Sequence, residues 1–358
     1  MNGQPSLVPA EDIVAEDTVP RDTVLTDRFI FWLLMCALVP IPVFALFAGP
    51  DATKLPSVQT TVYVLMLLNI MHVGLTSLFW IDSRYRAHMA SHPRQYYGNA
   101  AGVMAAFMFA ILYIGPWFLS VITAFVLSWN LYHFGRQNWG VLCLTATGTK
   151  GPRPGKLENL ACHIACFGGI IGSLPNSIPS LSFYGFQAAG CSLVLCGLAL
   201  SCVVACKLIH DRANPLRIVM TVAIGLYFLP LFLVPSLGFT TIATIHTGQY
   251  VVIMMVLAAD VRQGSRILRI GGMIALAALY LGWYQIMNGD FSGAIWGAWS
   301  QPAAALALSV LTWHFMIDAG VFRLGQRMQR KAMAESFPFL FAARVITVPG
   351  QGSTDAPK

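Results

Sequence analysis

Four histidines of this sequence lie within long apolar stretches. They are His72, His133, His246 and His314. Ionisable side chains are expensive to place in hydrocarbon, so such histidines either bond neighbouring helices together or form a functional site. Neutral imidazole is a preferred ligand of Fe, Zn and Cu, whereas Mg and Ca prefer oxygen ligands. The four histidines together therefore predict a site for one of these transition metals.

Three of the four histidines have polar companions at helical spacing. These companions are Gln137 for His133, Gln249 and Tyr250 for His246, and Asp318 for His314. Residues three or four apart lie on the same face of a helix, so all four are candidate catalytic residues. A metal-bound imidazole usually donates its second N–H to a carboxylate or similar acceptor. We therefore expect Asp318 to orient His314.

The elements that carry these residues are predicted to be transmembrane helices. Of the 358 residues, 56% are hydrophobic and only 10% are charged, against about 25% charged residues in soluble domains. A helix needs roughly 20 residues to cross the hydrocarbon core. Ten stretches approach this length, at 29–48, 58–81, 99–114, 116–135, 160–177, 183–206, 214–233, 240–259, 268–287 and 298–322. The predicted fold is an all-α, polytopic bundle.

The basic residues give this bundle an orientation. If the N-terminus is cytoplasmic and there are ten spans, every Lys and Arg except Lys54 falls on the cytoplasmic side, as the positive-inside rule requires. We therefore predict an acidic N-terminal cytoplasmic tail (1–27), a transmembrane domain (28–323) and a C-terminal cytoplasmic tail (324–358). The net charge of +7 then reflects contact with anionic membrane lipid and gives no indication of nucleic acid. The localisation predicted is the bacterial inner membrane.

Three other histidines and one carboxylate are further candidates. His88 and His92 are four residues apart in the segment after Asp82, and they would face the same side of a helix. His163 lies near the start of another apolar stretch, 160–177. We expect these histidines to occupy boundary or solvated positions, and we expect Asp82 to be a boundary charge, with a place in the lining of the site as the alternative.

The order of the histidine motifs resembles that of the Brp/Blh family of membrane-bound β-carotene 15,15'-dioxygenases. The similar segments are His72-Val73-Gly74, Tyr132-His133-Phe134-Gly135 and His314-Phe315-Met316-Ile317-Asp318, with His246 in a late helix. Members of that family are iron enzymes that cleave a carotenoid to retinal. The resemblance implies Fe(II) as the cofactor, with O2 and an apolar, lipid-soluble molecule as substrates.

We therefore expect a membrane-embedded enzyme that uses histidine-ligated Fe(II), with Zn or Cu as alternatives, and acts with O2 on a lipid or carotenoid-like substrate. Three other functions use the same residues. A haem-binding membrane cytochrome would take two of the histidines as axial ligands. A proton-coupled transporter would relay protons through the histidines and Asp318. A non-catalytic assembly factor is the third, and the sequence identifies no protein partner.

Overall fold

A computed structural model describes residues 22–46, 56–110, 113, 116–178, 184–234, 237–260, 265–288, 300–321 and 327–341. Every regular element within these ranges is helical. Most of the predicted N-terminal tail (1–21) and the end of the predicted C-terminal tail (342–358) lie outside them. The expected all-α fold is therefore confirmed for the part of the chain that the structure describes.

Fifteen α-helices and one π-helical turn follow each other along the described chain. The first eight α-helices are α1 (Thr23–Leu38), α2 (Pro40–Leu46), α3 (Pro56–Leu75), α4 (Leu78–Ile81), α5 (Ser83–Ser91), α6 (Asn99–Phe109), α7 (Pro116–Gly148) and α8 (Lys156–Ser177). The others are α9 (Tyr184–His210), α10 (Pro215–Leu226), α11 (Pro230–Leu233), α12 (Gly238–Ala258), α13 (Arg266–Asn288), α14 (Ser300–Val321) and α15 (Arg327–Ser336). The π-helical turn, Arg94–Gly98, leads into α6.

Five helical segments within the described residues are long and apolar enough to cross a membrane. They are Thr23–Leu46, Gln59–Ile81, Lys156–Pro175, Gly185–His210 and Gly238–Ala258. Their mean hydropathy lies between 1.3 and 2.5, and a soluble core does not require helices so uniformly apolar. Length and composition therefore indicate a membrane protein.

Several predicted spans differ from the helices that the structure contains. The stretches 29–48 and 214–233 each include residues of two helices, α1 with α2 and α10 with α11. The stretch predicted to end at residue 135 continues as α7 to Gly148, a helix of 33 residues, because the residues after Arg136 are again mostly apolar. The stretch predicted over 58–81 is interrupted after Leu75, where Thr76 and Ser77 bond back to Val73 and Gly74. These i→i−3 bonds tighten the chain into a turn before α4 begins.

Glycines allow three of the histidine-bearing helices to approach a neighbouring helix closely. The sequence His-x-Gly occurs three times, ending at Gly74, Gly135 and Gly248. Residues two apart on a helix are rotated by about 200°, so histidine and glycine lie on nearly opposite faces. A Cβ at Gly74 would lie 2.5 Å from the Cα of Ala277 in α13. At Gly135 and Gly248 it would lie 2.7 Å and 2.9 Å from the Sγ atoms of Cys166 and Cys36.

The residues after α14 return to the helical bundle. Phe337 is fully buried, and its ring centroid lies 5.5 Å from that of Phe29 in α1. Thr26 donates a hydrogen bond of 2.6 Å to the carbonyl of Phe339. Residues 327–341, which fall in the predicted C-terminal tail, are thus packed against the other helices.

Candidate metal centre

The four histidines singled out in the sequence meet in the interior of the protein. His72 comes from α3, His133 from α7, His246 from α12 and His314 from α14. They are only 5%, 8%, 0% and 2% exposed, in that order. The ring centroids of neighbouring pairs are 4.8 to 5.5 Å apart. Four separate helices therefore deliver one imidazole each to the same buried point.

The pair formed by His72 and His246 has a well-defined orientation. The Nδ1 atom of His72 is hydrogen-bonded to the carbonyl of Asn69 and lies 3.2 Å from the hydroxyl oxygen of Thr247. Since a carbonyl only accepts, Nδ1 carries the proton, and the lone pair of His72 is on Nε2. This Nε2 atom lies 3.2 Å from Nε2 of His246. The free lone pair of His72 thus faces the second histidine.

Asp318 approaches two of the histidines with one oxygen. Its Oδ2 atom lies 3.6 Å from Nε2 of His314 and 3.7 Å from Nε2 of His133. The other oxygen, Oδ1, accepts a hydrogen bond of 3.0 Å from the hydroxyl of Tyr250. The Nδ1 atom of His314, where we expected a carboxylate, is instead hydrogen-bonded to Thr76. Asp318 therefore lies on the same side of His314 as the free ring nitrogen.

The two glutamine candidates, Gln137 and Gln249, lie beside His246 and connect α7 to α12. The amide of Gln137 donates to the backbone carbonyl of His246 at 3.1 Å and to Oε1 of Gln249 at 3.3 Å. In the described structure neither amide is bonded to an imidazole nitrogen. The two glutamines therefore link two histidine-bearing helices by hydrogen bonds.

Several buried polar atoms at this point have no hydrogen-bond partner among the described residues. They are Nε2 of His133, Nδ1 of His246, Nε2 of His314 and Oδ2 of Asp318. Leaving a buried polar atom unpaired costs about 1–3 kcal/mol. Nε2 of His133, Nε2 of His314 and Oδ2 of Asp318 lie close together, so these three atoms indicate a missing ligand. Two nitrogens bound to one ion at about 2.1 Å lie roughly 3.0–3.4 Å apart at ordinary coordination angles, and His72 and His246 have this spacing.

Two groups of side chains have the geometry to hold a metal ion. One is His72, His246 and His314, and the other is His133, His314 and Asp318. Within each group the ligand atoms lie within 4.8 Å of one another. Imidazole with one carboxylate is a donor set that suits Fe, Zn or Cu. The residues present therefore fit a transition metal.

The weaker histidine candidates lie away from this centre. His88 is bonded through Nε2 to Tyr96 and Gln329, at 3.2 Å and 3.0 Å. Burial and, second, the charge of His92 lower the pKa of His88. His163 bonds to the carbonyl of Asn159. None of the three histidines belongs to a group that can hold a metal within the part of the chain described here.

Asp82 belongs to a network of charges instead of the histidine centre. Its Oδ2 atom lies 2.9 Å from Arg84 and 2.8 Å from Arg269. Arg84 also reaches Asp260 and Glu335, both at 3.1 Å. Burial lowers the pKa of Arg84, but the hydrogen bond and charge of Asp82, with the other carboxylates, raise it above its usual value overall. This network connects α5, α13, α15 and the segment that follows α12.

Two residues at the centre, Thr76 and Thr247, were not identified in the sequence, although each has a local signal. Thr76 follows His72 by four residues, the spacing that placed Asp318 beside His314. Thr247 is adjacent to His246 and bonds both to His72 and, at 2.6 Å, to the side chain of Asn69. Threonine occurs often in helices, so its spacing from a histidine does not by itself identify it as a site residue.

Comparison with known proteins yields no relative. No protein-family model, no curated protein and no solved structure matches this chain. The function is therefore inferred from the histidine centre itself and from the sequence motifs.

Proposed function

We propose that this protein is a membrane-embedded, metal-dependent enzyme whose ion is held by His72, His133, His246 and His314. The observation that supports this function best is the meeting of four buried imidazoles, with unpartnered nitrogen and oxygen atoms between them. The similarity of the motifs to the Brp/Blh family favours Fe(II), with O2 and an apolar, carotenoid-like molecule as substrates. Bound Fe(II) would supply the oxidative chemistry, and the protein would position the substrate and exclude water.

The proposal includes the arrangement in the membrane. Five helices of membrane-spanning length support a location in the membrane. The one-sided distribution of Lys and Arg supports ten spans in a bacterial inner membrane, with both termini in the cytoplasm. A lipid-soluble substrate would then reach the centre from the bilayer. The tails, 1–27 and 324–358, would face the cytoplasm.

The geometry disfavours the haem alternative. A haem with two axial histidines needs a wide, flat space between the two imidazoles for the porphyrin. Here the imidazoles of His72 and His246 are 3.2 Å apart at Nε2, and the ring centroid of Tyr250 lies 5.5 Å from that of His314. The transporter alternative uses the same residues. The metal content of the purified protein distinguishes this alternative from the metal-dependent enzyme.

Metal analysis of the purified protein tests the proposal. The full chain, purified in detergent without chelators, should contain Fe, Zn or Cu in a fixed ratio to protein, and Fe under iron-replete growth. His246→Ala and His314→Ala should lose most of this metal, because each removes one ligand from a buried centre. His163→Ala is the matched control, since His163 lies on another helix and bonds to the backbone carbonyl of Asn159 in that helix.

Oxygen consumption with a lipid extract then tests the enzymatic part of the proposal. We expect uptake that depends on the bound metal and is lost in His314→Ala. The absorption spectrum should show no haem band. A protein without stoichiometric metal, in which His314→Ala behaves like the wild type, would rule the function out.

A further inference from the structure

A chain of hydrogen bonds joins His314 to Asp318 through two residues from other helices. Nδ1 of His314 is bonded to the hydroxyl of Thr76. That hydroxyl lies 3.0 Å from the hydroxyl oxygen of Tyr250. Tyr250 donates in turn to Oδ1 of Asp318 at 3.0 Å. The chain thus begins and ends on α14, at two residues one helical turn apart, and it passes through the turn after α3 and through α12.

The direction of every bond in this chain follows from its last member. A carboxylate that binds a cation is ionised and can only accept, so the proton of Tyr250 points to Asp318. The oxygen of Tyr250 then accepts from Thr76, whose own oxygen is left to accept from His314. The proton of His314 is therefore on Nδ1, and its lone pair is on Nε2.

The two atoms that this chain leaves free point to the same place. Nε2 of His314 and Oδ2 of Asp318 are 3.6 Å apart, and neither has a hydrogen-bond partner among the described residues. Both residues are 2% exposed. Among the described residues, the basic side chains within 4.0 Å of Asp318 are His133 and His314. An ionised carboxylate buried without a cation is strongly unfavourable.

Both candidate metal groups use His314, which has one nitrogen available. Its Nδ1 atom is occupied by Thr76, so only Nε2 can bind a metal. One lone pair cannot bind two ions. At most one ion can therefore use His314, and the candidate ligands around it are His72, His133, His246 and Asp318.

We infer that Asp318 is a fifth protein ligand of this single ion, through Oδ2, and that Thr76 and Tyr250 are positioning residues that keep His314 and Asp318 in their ligating forms. The inference rests on the proposed metal centre and changes the role of Asp318 from orienting residue to ligand. It also gives the ion a negatively charged ligand. A divalent cation is thereby favoured over a monovalent one.

Substitutions that keep the size of the side chain test the inference, with Co(II) as the probe. Asp318→Asn keeps the acceptor for Tyr250 but replaces the free oxygen by an amide nitrogen, which only donates and cannot bind a cation. We expect its Co(II) affinity to fall by more than about 100-fold. Tyr250→Phe removes only a positioning bond, and such changes typically cost about 10–100-fold in affinity. The visible spectrum of bound Co(II), which reports the ligands, should change in Asp318→Asn and be preserved in Tyr250→Phe.

Tyr227→Phe is the matched control for Tyr250→Phe. Tyr227 is also fully buried, but its hydroxyl donates to the backbone of Ile242, so Co(II) affinity should be unchanged. If Asp318→Asn binds Co(II) as tightly as the wild type with the same spectrum, while His314→Ala does not bind it, Asp318 is not a ligand and the proposed function stands. Two ions per chain would contradict the single centre. A wild-type protein that binds neither Co(II) nor Fe would contradict the proposed function itself.

Discussion

At the scale of single residues, His72, His314 and Asp318 each use one atom to face the centre and another to fix their orientation by a hydrogen bond. Both His72 and His314 bond through Nδ1 to a threonine hydroxyl or a backbone carbonyl. In each case Nε2 is left facing the centre. This arrangement agrees with the general observation that the second nitrogen of a metal-binding imidazole is hydrogen-bonded. The protein thus fixes the ring orientation without a charged partner.

Gln137 provides a test at this scale, because the sequence placed it among the catalytic residues. Its amide bonds to the carbonyl of His246 and to Gln249, so Gln137→Leu should remove a link between α7 and α12. We expect a loss of stability of about 1–3 kcal/mol, since each of the two hydrogen bonds usually contributes about 0.5–1.5 kcal/mol. Metal content should be close to that of the wild type. Thermal unfolding in detergent and metal analysis measure the two effects.

His133→Ala is the comparison for this substitution. It changes the same face of α7 but removes a ring nitrogen that faces Asp318. If Gln137→Leu loses as much metal as His133→Ala, the amide of Gln137 acts at the metal centre and does not only link α7 to α12.

Much of the site follows from the sequence, and its missing parts have a physical reason. The four histidines were identifiable because ionisable residues are rare in apolar stretches. Asp318 was identified from its spacing, but its role was assigned differently, since spacing does not tell which nitrogen of His314 it approaches. Thr76 bonds to a residue 238 positions away. Such a contact depends on the position of the turn after α3 relative to α14, which no local pattern encodes.

At the scale of helices, the glycine of each His-x-Gly segment sets how close the supporting helix can come. Gly74 is the most restrictive, since its neighbour is a backbone atom of α13. Gly74→Ala should separate α3 from α13 and displace His72. We expect a destabilisation of about 1–3 kcal/mol, as for other overpacked interiors, together with reduced metal content. Thermal unfolding and metal analysis again give the measurement.

Gly140→Ala is the control for Gly74→Ala. A Cβ at Gly140 meets nothing within 4 Å, and alanine is preferred to glycine within a helix by about 0.5–1 kcal/mol. Gly140→Ala should therefore be neutral or slightly stabilising. Equal effects of the two substitutions would mean that helix contact at Gly74 has no part in positioning His72.

At the scale of the whole molecule, the segment 327–341 joins parts of the chain that are far apart in sequence. Glu335 pairs with Arg84, and Ser336 donates to Asp260 at 3.1 Å. Phe337 packs on Phe29. The sequence predicted only a tail here, because α15 is rich in polar and charged residues and too short to span a membrane. Its packing depends on side chains from α1, α5 and the segment after α12, which only the folded chain brings together.

Phe337→Ala tests whether this segment contributes to the stability of the whole protein. Its ring is fully buried, and truncation of a buried phenylalanine typically costs about 3–5 kcal/mol. Lys331→Ala is the control on the same segment, because that side chain is 74% exposed and lies 3.9 Å from Glu335. Such a pair contributes about 0–1 kcal/mol. We expect a clear fall in the unfolding temperature and faster proteolysis within 327–341 for Phe337→Ala alone. Identical behaviour of the two variants would show that the segment stabilises nothing beyond itself.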